Sequence, residues 1–313
     1  MFTDLLYIAT CFFSLAAAQL SPTGPRIIVT NDDGWATANI RALFFSLVEE
    51  NYNVVLSAPA LDASGTGSLD LPPVPVILGC EFASCPPGSP PAGQDNQSSR
   101  MNYVNSFPAT SAKFGIQQFG PTFFDGQMPD LVVAGPNVGN NLGIVALLSG
   151  TVGAASAASQ LGVPGLAISG AFSTAMSFEQ LSTSSQATTA AEVYASLTAD
   201  LIAALLKPGH SIPILPSSII LNVNYPEATG SCQSPDSFKF VLTRSVSIPV
   251  LQILAPSDVT TCGRSRLPTE SDLISENGCF ATVTVLDAVD GLDVDKDTQA
   301  AVLNRLDGFL SCP

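Results

Sequence analysis

Arg26-Ile27-Ile28-Val29-Thr30-Asn31-Asp32-Asp33-Gly34 is the stretch whose reading decides the fold. Its first five residues form a β-branched apolar run of the length expected for a buried strand, and the run stops in a polar turn sequence. Just downstream, Ile40, Leu43, Phe44, Leu47 and Val48 recur at i, i+3, i+4, i+7 and i+8, the spacing of an amphipathic helix. Asn53 to Ala58 then reads as a second strand. Strand, helix and strand within about 35 residues make a βαβ unit with parallel strands and a right-handed crossover.

The rhythm continues along the chain. Asp130 to Ala134 and Gly165 to Ser169 read as strands, with a small-residue helix over Ser149 to Leu161 between them. Tyr194, Leu197, Leu201 and Leu205 mark a further helix, and Ser218 to Val223 another strand. Phe280 to Leu286 alternates like a strand, and Val302, Leu303, Leu306 and Leu310 share one face of a closing helix. This alternation predicts an α/β fold: a Rossmann-like, doubly wound, mostly parallel sheet with a C-terminal extension. Two segments break the pattern. Cys80 to Ser99 holds four prolines and reads as a surface insert over about residues 80–100, and Ser173 to Thr189 reads as a loop.

Composition narrows the function. Of 313 residues, 46% are apolar and 12% charged, which excludes a disordered chain. Lys plus Arg is 11 against 26 Asp plus Glu, a net charge of −15. No stretch is basic, so a nucleic-acid polymer is not an expected partner, and an acidic surface is repelled by anionic membranes. A small phosphate substrate would need local positive charge, for which a metal ion is the obvious source. The single histidine, His210, sits in Lys207-Pro208-Gly209-His210 and excludes a histidine-rich zinc site. Any Ser-His-Asp triad would have to use it.

Met1 to Leu20 carries an apolar run over Leu5 to Ala18 that ends in three alanines. It reads as a secretory signal over residues 1–18, leaving 19–313 as one elaborated domain of a secreted, extracellular protein. Cys11 leaves with the signal, and six cysteines remain, an even number that suits three disulfides. Six cysteines allow 15 pairings and sequence alone selects none. The sequential set, Cys80–Cys85, Cys232–Cys262 and Cys279–Cys312, is the expectation. Asn96-Gln97-Ser98 is a glycosylation sequon, which makes Asn96 the expected glycan site.

In open parallel sheets ligands bind beyond the carboxyl ends of the strands, so the turns there matter most. Asn31-Asp32-Asp33-Gly34 places two carboxylates at a strand end, a hard-oxygen site for a cation, although it is also good turn chemistry by itself. The loop after the second strand, Ala58 to Gly67, offers hydroxyls and flexible backbone. Leu131 to Ala134 leads into Gly135-Pro136-Asn137-Val138-Gly139-Asn140-Asn141-Leu142-Gly143 and on to Ser149-Gly150-Thr151. There Ser149 is a good N-cap, and Gly150 and Thr151 present free amides to an anion. The small residues after them equally suit close helix–sheet packing.

Together these pieces resemble the SurE family of divalent-metal-dependent phosphomonoesterases and nucleotidases. The resemblance runs from about Arg26 to Leu310 and is carried by Ile27 to Gly34, Ser64-Gly65, Pro129 to Gly139, Asn141-Leu142-Gly143, Ser149 to Ala155 and Leu221 to Pro226, in that order. It implies metal ligation by Asp32, Asp33, Ser64 and Asn137, with Mg²⁺ or Mn²⁺ as the cofactor. Catalysis falls to Asp32 and Asp33, and Asn31, Gly65, Ser149, Gly150 and Thr151 contact a phosphate-ester substrate. Members often form dimers or tetramers, so a homo-oligomer is among the states implied. Pro136 replaces an aliphatic residue, and Ile144 and Val145 replace acidic ones. The signal and the insert are similar to those of exported fungal members described as acid phosphatases.

The function expected is therefore divalent-metal-dependent hydrolysis of phosphate monoesters, either nucleoside monophosphates or generic monoesters. The alternative is a secreted, non-enzymatic binding protein on the same scaffold. A serine hydrolase built on Ser149 or Ser64 would need His210 nearby.

Overall fold

The computed structural model describes residues 23–172, 174–208, 213–245, 257–276 and 278–313. The signal expected over residues 1–18, and His210, lie outside the described residues. The founding unit is β1 (Arg26–Thr30), α1 (Ala38–Glu49) and β2 (Asn53–Pro59), with β1 and β2 parallel and Ile27 opposite Val54. β3 (Ala92–Gln94) and β4 (Met101–Val104) follow. Next comes α2 (Pro108–Phe114), which passes through a π-helical stretch, Gly115–Phe119, into α3 (Gly120–Phe123). The chain continues as β5 (Leu131–Val138), α4 (Gly150–Gln160), β6 (Gly165–Gly170), α5 (Gln186–Leu205) and β7 (Ile219–Tyr225). The last elements are β8 (Lys239–Thr243), α6 (Glu270–Ser275), β9 (Phe280–Asp287) and α7 (Lys296–Arg305).

Among the described residues one sheet of nine strands runs β3-β4-β2-β1-β5-β6-β7-β9-β8. The six strands from β4 to β7 are parallel, β3 is antiparallel at one edge, and β9 and β8 run opposite to β7 at the other. The chain moves outward from β1 to β2 and β4, then returns to β5 on the other side of β1. Strand order therefore reverses between β1 and β5, and the turns beyond their carboxyl ends face the crevice where such sheets bind ligands.

Both faces are covered. Ile27, Val29, Leu131, Val133, Leu166 and Ile168 join the core packed by α1 and α5. Ile28, Val55 and Val132 face Ile116, Phe124 and Ala158 on the other side, where α2 and α4 pack together. Burial on both sides is why Ile27-Ile28-Val29 is continuously apolar rather than alternating. Among the described residues no helix is long and apolar enough to cross a membrane.

Two of the expected disulfides are corrected. Cys80–Cys85 is present, but the other pairs are Cys232–Cys279 and Cys262–Cys312, not Cys232–Cys262 and Cys279–Cys312. The sheet explains the exchange. β9 runs antiparallel to β7, so the segment entering β9 at Cys279 lies beside the segment leaving β7 toward Cys232, with the two Cα atoms 5.4 Å apart. The C-terminus returns along β8, where the Ser311 amide donates to the Phe240 carbonyl, and this brings Cys312 to Cys262.

The insert is folded and docked. It includes β3, and Arg41 of α1 donates to Asp95 at 3.1 Å, a pair in which the arginine is almost fully buried. Asn96 stands exposed on the turn between β3 and β4. The stretch expected as a loop over Ser173 to Thr189 contains a 3-10 turn at Phe178–Ser182 and the first turn of α5.

Candidate active site

The turn after β1 is closed by its own first residue. The Asn31 side-chain amide donates to the Gly34 carbonyl at 2.9 Å and to the Thr37 hydroxyl at 3.2 Å, while Asn31 Oδ1 accepts from the Gly34 amide at 3.3 Å. Gly34 has φ +109°, a conformation that favours glycine. This clamp fixes Asp32 and Asp33 at the carboxyl end of β1, only 2% and 6% exposed. Asp32 Oδ1 accepts the Thr151 hydroxyl at 2.5 Å, and the Thr151 backbone amide also supports that carboxylate. Asp33 Oδ2 accepts the Val138 amide at 3.0 Å, which ties the turn to the end of β5.

Burial pushes the Asp32 carboxyl above its ordinary range. Asp33 is pushed well above, first by burial and then by the negative charge of Asp32, with Asp62 and Glu81 adding to it. Among the described residues no Lys or Arg pairs with any of these four acids. Two buried carboxylates side by side without a counter-cation fit a hard divalent ion. No three His, Cys, Asp or Glu among the described residues form a metal-ligating cluster, so neutral oxygens and water would have to complete the shell.

The loop after β2 is tied to the turn by the Ala63 amide, which donates to the Asp32 carbonyl at 2.8 Å. Ser64 is exposed, and its hydroxyl and amide donate to Asp62 Oδ1 at 2.7 and 2.8 Å. Gly65, also exposed, has φ +73°. In β5 the pairing with β6 shifts register between Ala134 and Asn137, around a cis Gly135–Pro136 bond. Such bulges re-aim the side chain that follows them. Here that is Asn137, whose amide donates to the Gly139 carbonyl at 2.6 Å and whose Oδ1 accepts no hydrogen bond among the described residues.

The helix α4 begins against Asp32. Ser149 caps it, accepting from the Val152 amide at 3.2 Å, and the Gly150 amide has no protein acceptor among the described residues. A Cβ on Gly150 would come within 2.8 Å of the Asp32 Cβ, so glycine is what lets the helix start approach the carboxylate. Thr151 faces Asp32 rather than open space. The structure thus brings Asn31, Asp32, Asp33, Gly150 and Thr151 into one constellation, places Ser149 at its helical edge and links Asn137 to it through Val138. Ser64 and Gly65 stand on the adjoining loop.

Three residues escaped the reading of the sequence. Asp62 positions Ser64. Glu81, on the 3-10 turn inside the insert, carries a buried Oε2 with no hydrogen-bond partner, and burial followed by the Asp62 charge pushes it up to about 7. Glu270 supports the third loop from behind. Its carboxylate accepts from the Gly143 amide at 2.6 Å, the Thr284 hydroxyl at 2.9 Å and the Asn222 amide at 3.1 Å, while Asn222 and Asn224 both donate to the Asn141 carbonyl. The only sequence signal for that support was Leu221-Asn222-Val223-Asn224, two amides on a strand otherwise apolar.

A doubly wound α/β protein with a buried carboxylate pair at its switch point is the class that the fold and site define. Within that class, residues 27–247 match the family described as Survival protein SurE, and the chain belongs to the SurE family. It is 34% identical to a Yarrowia lipolytica protein named Acid phosphatase, over 83% of this chain and 78% of that one. It is 33% identical to an Anaplasma marginale protein named 5'-nucleotidase SurE, over 46% of this chain and 48% of that one. The backbone is similar to the crystal structure of the SurE protein from Aquifex aeolicus, with a TM-score of 0.54 and 22% identity over 84% of this chain and 94% of that one, a likeness of fold.

Proposed function

We propose that this chain hydrolyses phosphate monoesters with a divalent cation, Mg²⁺ or Mn²⁺, held by Asp32, Asp33, Ser64 and Asn137. The observation that carries the reading is the pair Asp32 and Asp33, buried at the carboxyl end of β1 with no cationic partner among the described residues. A relative named for phosphatase activity, aligned over most of both chains, supports the same chemistry. When bound, such a cation neutralises phosphate charge and makes the attacking water more acidic.

The chain's own residues do the rest. Thr151 holds Asp32 in one orientation through its hydroxyl, and Val138 holds Asp33 through its amide. The Gly150 amide, at the positive end of α4, is free to bind a phosphate oxygen. One of the two aspartates takes the proton from water as it attacks phosphorus. The exported, disulfide-linked product, with a glycan on Asn96, belongs to the same proposal, as does a homo-oligomer.

The test is a panel of p-nitrophenyl phosphate and nucleoside 5′- and 3′-monophosphates, assayed with and without EDTA. Turnover that EDTA abolishes and Mg²⁺ or Mn²⁺ restores is expected. Turnover that survives chelation would overturn the metal-dependent reading, and no turnover of any monoester would favour the binding protein.

A further inference from the structure

We propose that the ester group of the substrate is an uncharged apolar chain, alkyl or aryl. It is received by a wall of exposed aliphatic side chains, Leu69 and Leu71 on one loop and Ile144, Val145 and Leu148 on another, where the two loops meet at the start of α4. The inference rests on the phosphatase reading above and names the class of monoester that site takes.

The 3-10 turn Gly143–Leu148 runs directly into Ser149 and the Gly150 amide. Of its side chains only Ala146 is buried, whereas Ile144 and Leu148 are 65% and 67% exposed and Val145 also stands out. Leu147 lies against Gly291 and is not part of the wall. The turn is joined to the loop after β2, whose Gly67 amide donates to the Leu148 carbonyl at 3.0 Å. Just beyond Gly67, Leu69 and Leu71 are exposed on either side of Asp70. Asp70 anchors that loop to α2: its carboxylate accepts from the Thr110 hydroxyl at 2.7 Å and from Lys113 at 2.6 Å, while the Leu71 amide donates to the Thr110 hydroxyl at 3.2 Å. Pro108, which begins α2, stands so close to Gly150 that a Cβ there would come within 2.9 Å of the proline ring. The two apolar segments therefore converge on the helix start that also touches Asp32.

Soluble proteins rarely expose contiguous apolar surface without a use for it. What covers this surface follows from its neighbours. Leu148 is two residues from the Gly150 amide, so a group esterified to a phosphate held there lies within its reach. The wall offers that group nothing polar. Between Gly143 and Leu148 there is no hydroxyl, amide, aromatic or charged side chain. It therefore has neither the hydrogen-bonding groups that read the edge of a nucleobase nor a ring on which one stacks. Lys113, the cation beside the other segment, is engaged by Asp70, which leaves it unsuited to a second phosphate. An uncharged alkyl or aryl chain loses no hydrogen bonds on leaving water here and gains by burying apolar area on both partners.

The test is kcat/KM of the full chain, with MnCl₂ present, on ethyl, butyl and hexyl phosphate, with adenosine 5′-monophosphate and glycerol phosphate alongside. Each added methylene should raise kcat/KM by about two- to fourfold, the upper figure being that of a fully buried methylene. Hexyl phosphate should then exceed ethyl phosphate by at least about tenfold, and exceed both polar esters. Binding is read separately: hexylphosphonate, which cannot be hydrolysed, should compete at least about tenfold better than ethylphosphonate. Leu69→Ser with Leu148→Ser should pull the hexyl-to-ethyl ratio towards one. Val48→Ser, at an exposed valine on α1, should leave that ratio as it was. Hydrolysis of ethyl phosphate with no gain on lengthening the chain, or adenosine monophosphate preferred to hexyl phosphate, overturns the inference and leaves the phosphatase reading standing. A wall covered by a second copy of the chain would give the same flat series, together with a dimer in sedimentation that Leu148→Asp dissociates, and overturns it equally. If no monoester is hydrolysed, both fall.

Discussion

The Thr151 hydroxyl donates to Asp32 Oδ1 at 2.5 Å across 119 residues of sequence, joining the first turn of α4 to the end of β1. Both groups are buried, so the bond is not shared with bulk water and holds the carboxylate in one orientation. Thr151→Val keeps the shape and removes the donor. Losses for residues that support a metal ligand from behind are typically 10–100-fold, and kcat/KM is expected to fall within that range. Thr151→Ser, which restores a hydroxyl, should recover most of the activity. Equal activity in all three proteins would show that Asp32 needs no such support.

Asp32→Asn and Asp33→Asn each remove one charge at nearly constant volume. Each should lower kcat/KM by more than about 100-fold and weaken Mn²⁺ binding, because charge on the ligand set governs affinity. Asp62 separates charge from positioning. Asp62→Asn keeps an acceptor for the Ser64 hydroxyl and amide and should change turnover only a few-fold. Asp62→Ala releases Ser64 and should do more harm. If Asp62→Asn were as damaging as Asp32→Asn, the assignment of ligands would have to be redrawn.

Mass spectrometry of peptides cut without reduction should recover Cys232 joined to Cys279 and Cys262 joined to Cys312, besides Cys80 joined to Cys85. Denatured, unreduced protein should show no thiol from these six. Finding Cys232 joined to Cys262 would contradict the adjacency of β7 and β9 as well as the pairing.

These expectations differ in how far they could be read before the fold was known. The parallel core was legible because β1, β5, β6 and β7 are buried on both faces and so each carries an apolar run, Ile27-Ile28-Val29, Leu131-Val132-Val133-Ala134, Leu166-Ala167-Ile168 and Ile219-Ile220-Leu221. The carboxylate pair was legible because Asn31 to Gly34 closes a turn at the end of such a run. β4 was not, because Asn102 interrupts Met101–Val104; that side chain is buried and donates back to the Leu56 carbonyl, a contact no local pattern announces. α2 begins at Pro108 and runs through Thr110 and Ser111, whose burial does not register as hydrophobic periodicity. The two long-range disulfides and Glu81 were hidden for a different reason. Their partners are decided by which strands turn back beside which, and that information is in the sheet order rather than in any segment.

Glu270 makes the stability of the fold depend on pH in a calculable direction. It is fully buried, and desolvation pushes its carboxyl from 4.5 up to about 8, against the opposing pull of the Gly143, Thr284 and Asn222 hydrogen bonds. The folded protein therefore keeps this group protonated where the unfolded chain has already ionised. Below about pH 4.5 both states hold the proton and its stabilising contribution is complete. Between about 4.5 and 8 the unfolded chain releases the proton while the folded one retains it, so stability falls as pH rises, by at most about 1.4 kcal/mol per pH unit. Above about 8 the contribution is gone. Glu270→Gln cannot ionise and should flatten this slope. Melting temperatures of the two proteins, measured in EDTA across the same pH range, should converge or cross as pH rises, the variant gaining relative to the unaltered chain. Parallel curves would mean that Glu270 titrates alike in both states and that its buried network holds a carboxylate as easily as an acid.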